Sequence, residues 1–272
     1  MPRYLKSIVA TTLLDKQNEK LSLENLNSLV SSLDKYNIPL TVEHDPRKPP
    51  VGRVIKGYVR ERSDKEFEAV TLIEVFDGDW DSLEINDKEF PVRTAKDNLE
   101  LSYSFSHNNK KDQDDIKFID YFLNSKSRYE AKKSVDPISI LSLTGAFILG
   151  GIASGFLNKI GSDAWDLIKP KIIGLVSKSK NKDIQDLLIF RIIIEKANVM
   201  VEVEIILTNP SEIDIEQFLM NTTVKLDNIL GDLLNFDSEI RRIVFEQHGE
   251  QLQLNYMVRK NCVPLIFNKI ID

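Results

Sequence analysis

The sequence predicts an α+β protein. Three observations carry that reading. Short β-branched runs such as VEVEI and QLQLNY alternate apolar and polar residues. One long amphipathic stretch follows helical spacing near the start, and the last third runs in the order ββαββ.

Taken in order, Ser7 to Leu14 is a short β-branched strand, closed by the polar turn from Asp15 to Lys20. Leu23, Leu26, Leu29, Val30 and Leu33 then recur at helical spacing. Ser22 is placed to cap that helix, and Asn37 and Pro39 to stop it. PLTVEH leads out as a strand. Gly52 to Arg62 and Phe67 to Phe76 are two more, divided by Ser63-Asp64-Lys65, and Leu99 to Phe105 is another. HNNKKDQDD, from His107, reads as a polar break before a short helix from Ile116 to Leu123. LLIFRIIIE and VMVEVEIIL flank Lys196-Ala197-Asn198 as a hairpin. A helix opens after Asn209-Pro210-Ser211, and IRRIVFE and LQLNYMVR form a second hairpin around His248-Gly249. The expected arrangement there is a four-stranded antiparallel sheet with a helix on one face and one wet sheet face. Three segments follow: a β-rich, barrel-like domain over 1–125, a helical connector over 126–180 and the ββαββ domain over 181–272.

The connector holds the most unusual stretch. Pro137 to Asn158 contains no charged residue. As one helix it spans about 33 Å, enough to cross a hydrocarbon core of about 30 Å. Ser142, Ala146, Gly150 and Ser154 form a small-residue stripe, with Gly151 and Gly155 as a GxxxG pair beside it. Two readings stand: a buried helix of a soluble fold, and a membrane contact that self-associates as a homo-oligomer. The following helix, from Ser162, carries Pro170 as an expected kink.

Composition narrows the function. A chain of 272 residues, 42% hydrophobic and 29% charged, is that of a globular protein with a real core. A net charge of −6 argues against nucleic acid as partner. The single cysteine, Cys262, forms no internal disulfide. With an N-terminal apolar run too short for a secretory signal, it points to a cytoplasmic location. Neither a cofactor motif nor a zinc-ligand spacing is present, and Asp77, Asp79 and Asp81 lack the distal glutamate of a calcium loop.

The candidate chemistry lies in TVEHDPRKPPVGRV. His44, one of only three histidines, falls at a strand exit beside Asp45. In LSYSFS, Ser102, Ser104 and Ser106 alternate and so share one face. A histidine base and a serine hydroxyl are the parts of a nucleophilic pair.

These stretches resemble the prohead (capsid-maturation) serine protease family of tailed phages, related in fold to the herpesvirus assemblins. The resemblance covers about residues 7 to 105. It begins at Ser7-Ile-Val-Ala-Thr and is strongest through IPLTVEHDPRKPPVGRV, where Pro50-Val51-Gly52-Arg53 matches the family's Pro-ϕ-Gly-Arg element. It places His44 on the family's base and Ser102 on its nucleophile. Ser104 stands where the family has a glycine. It implies a peptidase acting on protein or peptide, with backbone amides near Gly52 and Arg53 as the oxyanion site. No third catalytic residue is placed: Asp45 tends to face away from His44, and nothing brings His107 to it. The competing class is a non-catalytic effector or interaction protein, phage- or defence-associated, with an inactive peptidase-like domain and the 137–158 segment acting at a membrane or in an oligomer.

Overall fold

The computed structural model describes residues 3–14, 20–76, 83, 86–94, 98–104, 110–130, 138–149, 151–177 and 185–271. The turn from Asp15, the Asp77–Asp81 loop, Ser106 and His107 lie outside these. The fold is α+β, with twelve strands in two sheets and six helices among the described residues. Contacts divide the chain into two compact units, Met1–Pro91 with Val258–Leu265, and Val92–Met257 with Ile266–Asp272.

The first unit holds β1 (Arg3–Thr11), α1 (Leu23–Lys35), β2 (Ile38–Leu40), β3 (Gly52–Glu61) and β4 (Phe67–Val75). The strands form one open sheet in the order β1-β4-β3-β2, so the barrel expected here is not closed. The Ser22 side chain accepts a hydrogen bond from the Asn25 amide at 3.1 Å and caps α1. Leu26 and Leu33, two turns apart, bury one helix face against Ala10 and Ala69 and against Val54 and Ile73. The approach is close: a Cβ on Gly57 of β3 would sit 2.6 Å from Leu33 Cδ1.

The strand expected through PLTVEH ends at Leu40. Val42–His44 instead forms a single 3-10 turn, with Glu43 and His44 at φ of 57° and 52°. Local polar bonds explain the change. The Asp45 carboxylate accepts from the Arg47 amide at 3.0 Å and from both ends of its guanidinium, and Asp45 N donates to Val42 O. An aspartate that satisfies the next residues' amides offers the backbone a turn in place of a ladder.

The second unit holds β5 (Glu100–Ser104), α2 (Lys110–Leu123), β6 (Arg128–Tyr129), β7 (Ile138–Phe147), α3 (Ile152–Ile160), α4 (Ser162–Val176), β8 (Gln185–Lys196) and β9 (Val199–Thr208). Then come α5 (Glu212–Gln217), a π turn, α6 (Thr223–Phe236), β10 (Ile240–His248), β11 (Gln251–Arg259) and β12 (Pro264–Ile271). The sheet order is β12-β11-β10-β9-β8-β7-β5-β6. The four strands expected to make an antiparallel sheet of their own are instead part of a mixed one of eight strands. β8 and β9 are antiparallel through the tight turn Ala197-Asn198, both at positive φ, but β9 and β10 are parallel. The helices between β9 and β10 make a crossover, which returns the chain to start β10 at the same end as β9. The polar break expected over 107–115 is helical from Lys110, with Asp112 and Asp115 buried and Asp115 paired to Lys171 at 2.8 Å. Pro170 lies inside α4, which runs on to Val176.

The uncharged segment 137–158 is not one helix. Ile138–Phe147 is a central strand, parallel to β8 and antiparallel to β5, and α3 begins only at Ile152. No helix among the described residues is long and apolar enough to cross a membrane. Residue type decided the outcome. In ISILSLTGAF, Leu141, Leu143 and Phe147 face one way, and Ser142, Thr144 and Ala146 the other. Gly155 serves packing: a Cβ there would meet the Phe147 ring at 2.5 Å.

Both faces of this sheet are buried, with opposite chemistry. On one, Phe156, Phe190 and Phe218 join α3, β8 and the π turn, with ring centroids 4.4 to 6.2 Å apart. The other carries serines, arginines and glutamates.

Candidate functional site

Arg191 is the one charged residue inside the apolar run 187–194, and Glu202 and Glu204 alternate along β9. That alternation suggests a wet face. The structure buries it instead: Arg191, Glu202 and Glu204 are 4%, 0% and 3% exposed. Arg191 and Glu204 are direct cross-strand neighbours, and Arg191 Nε donates to Glu204 Oε1 at 2.7 Å. Arg242, opposite Glu202, pairs with it at 3.1 Å. Burial alone would raise the Glu204 pKa. The charges of Arg191 and Arg242, with the Arg191 hydrogen bond, more than reverse that and hold it well below the ordinary carboxylate range.

The network reaches Ser102. Arg191 Nη1 donates to Ser142 Oγ at 2.6 Å, and Ser142 Oγ shares a hydrogen bond with Ser102 Oγ at 2.6 Å. Strand register makes this chain, since Ser102 and Ser142 are opposite partners on β5 and β7. On the other side of β5, Ser102 pairs with Arg128 of the two-residue strand β6. Glu130, two residues on, accepts from Arg93 Nη1 at 2.5 Å. Burial raises the Glu130 pKa, but the Arg93 hydrogen bond and charge outweigh it and lower the value. Arg93 also gives its backbone amide to Glu202 Oε2 at 3.2 Å.

Of these residues Ser102, Arg93, Arg128 and Glu130 line a cavity of about 250 Å³, together with Glu100, Lys126 and Thr144. Its floor is buried: Ser102 is 8% and Thr144 7% exposed. Its rim carries Lys126 and Arg128, both exposed, with Arg93 and Glu130 between rim and floor.

His44 belongs to the first unit and Ser102 to the second. The His44 side chain is exposed and has no hydrogen-bond partner among the described residues. Asp45 is committed to Arg47. Gly52 and Arg53 sit on a strand paired on both sides, with β2 and with β4, so the ladder occupies that backbone and no oxyanion turn forms there. Arg53 is itself buried, 2.7 Å from Glu74. Ser104 shares the Ser102 face, as alternation predicts, but that face is closed: Ser104 is 5% exposed.

Comparisons with protein-family models, with curated proteins and with solved structures return no match.

Arg93, Lys126, Arg128, Glu130 and Thr144 were invisible to motif reading, because they come from three separate segments. One signal was available. A single arginine in an apolar strand, facing a strand with two alternating glutamates, marks a buried ion pair, since a charge buried without a partner is costly.

Proposed function

We propose that the chain is a non-catalytic interaction protein, in which Ser102 is a hydrogen-bonding group at the floor of a polar cleft. In this reading the N-terminal residues keep a peptidase-like pattern without a working pair. One observation carries it: the hydrogen bond of Ser102 goes to a neutral hydroxyl already engaged by Arg191. A general base needs to take up a proton near the working pH, and a neutral serine hydroxyl beside a guanidinium is far too weakly basic to do so.

The competing reading is a serine peptidase cleaving protein or peptide through Ser102 and His44. It draws on Ser102 lining an accessible cavity. A fluorophosphonate probe separates the two. The expected result is no labelling of the intact chain. Labelling abolished by both Ser102→Ala and His44→Ala would establish the peptidase instead.

A further inference from the structure

We propose that the cavity floored by Ser102 and Thr144 binds a small oxyanion, a carboxylate- or phosphate-bearing molecule, with Arg128 and Lys126 at its mouth. The inference goes beyond the non-catalytic reading and names the ligand class of the same site. It needs Ser102 only as a hydrogen-bond donor.

Charge sets the class. Arg93, Lys126 and Arg128 face Glu100 and Glu130 around the cavity, an excess of one positive charge. Arg93 is spent on Glu130. Lys126 and Arg128 form no close ion pair among the described residues, although the Arg128 charge helps to lower the Glu130 pKa, and both are exposed at the opening. Behind the floor, Arg191 and Arg242 balance Glu202 and Glu204, so the wall adds no net repulsion for an anion.

The floor adds donors. Thr144 is 7% exposed, and its hydroxyl has no hydrogen-bond partner among the described residues. That hydroxyl opens on the cavity and is not sealed in the core, so an oxyanion acceptor can reach it. The Ser142 hydroxyl, already an acceptor for Arg191, is free to donate to Ser102, which leaves the Ser102 proton for a ligand oxygen. A guanidinium at the mouth then supplies the planar fork that matches carboxylate or phosphate. At about 250 Å³ the space suits a compact metabolite rather than a chain segment.

The test is calorimetric titration of the full chain with inorganic phosphate and, separately, succinate. Saturable binding of one or both is expected, weakening as salt is raised. Binding of phosphate alone assigns a phosphoryl group, and of succinate alone a carboxylate. The double variant Lys126→Gln/Arg128→Gln, at exposed positions, should bind at least about tenfold more weakly. Thr144→Val should weaken binding while keeping the circular dichroism spectrum. No saturable heat from either probe up to about 10 mM, or unchanged affinity in the double variant, overturns the assignment. Fluorophosphonate labelling with intact anion binding would instead remove only the non-catalytic reading.

Discussion

Each sheet buries an arginine–glutamate pair of the same construction. Arg53 and Glu74 are opposite partners on antiparallel β3 and β4, with 2.7 Å between charges. Arg191 and Glu204 are opposite partners on antiparallel β8 and β9, also at 2.7 Å. The difference lies in where the next donor goes. Arg53 Nη1 donates to the backbone carbonyl of Asn261 at 3.2 Å, and the Tyr4 hydroxyl reaches Glu74 at 3.4 Å. Arg191 Nη1 donates to a side-chain hydroxyl, which passes the bond on to a second hydroxyl lining a cavity. A carbonyl ends a network as a fixed acceptor. A hydroxyl both accepts and donates, so it relays polarity outward. The same ion pair serves as a fixture in one unit and as the back wall of a binding cleft in the other.

The largest effect comes from breaking either pair. Glu74→Ala and Glu204→Ala each strand a buried guanidinium, and each should cost about 3–5 kcal/mol in urea unfolding. Only Glu204→Ala should also change oxyanion binding, tightening it because the wall behind the floor is left with one uncompensated positive charge; equal binding in both variants would remove the proposed contrast. Acid acts on Glu204 in the same direction. Its folded pKa lies below the ordinary value of 4.5. Its stabilisation is therefore complete above that value and is lost as pH falls through the lower, folded one. Glu130, shifted the same way, adds to the loss. Unfolding midpoints should be level from neutral pH to about pH 5 and drop below it. A chain with Glu204→Gln should show a shallower acid limb.

A smaller effect tests the segment that sequence reading placed in one long helix. Gly155→Ala forces a methyl into the Phe147 ring and should cost about 1–3 kcal/mol, whereas Gly151→Ala meets only the Ile148 carbonyl, at 3.4 Å, and should stay within about 0.5 kcal/mol. A GxxxG helix pair would need both glycines alike, so equal costs at the two sites would restore that reading. The misreading has a plain origin. Ser142 and Ala146 are four apart, and a four-residue spacing keeps one face in a helix of period 3.6 and also in a strand of period 2. The elements that were legible carried a second signal. For α1 it was the Ser22 cap on a heptad-spaced Leu26 and Leu33. For β8 and β9 it was a two-residue turn at Ala197-Asn198 between apolar runs. At the site, Ser102 was legible as a one-face serine. Its partners were not, because β5 meets β7 across forty residues of chain and nothing local encodes that pairing.

The smallest effect discriminates between the two hydroxyls of the relay. Ser142→Ala leaves Arg191 Nη1 and the Ser102 hydroxyl without their bond and should cost about 1–3 kcal/mol. Ser102→Ala leaves the Arg191–Ser142 bond in place, because Ser142 keeps accepting from the guanidinium. It should therefore cost only about 0.5–1.5 kcal/mol, read from the shift in urea midpoint at unchanged slope. The order Ser142 above Ser102 follows from Ser142 being the member bonded on both sides. If Ser102→Ala proved the costlier change, the network would be anchored from the cavity side, and the contrast with the closed Arg53 pair would rest on the rim residues instead of the relay.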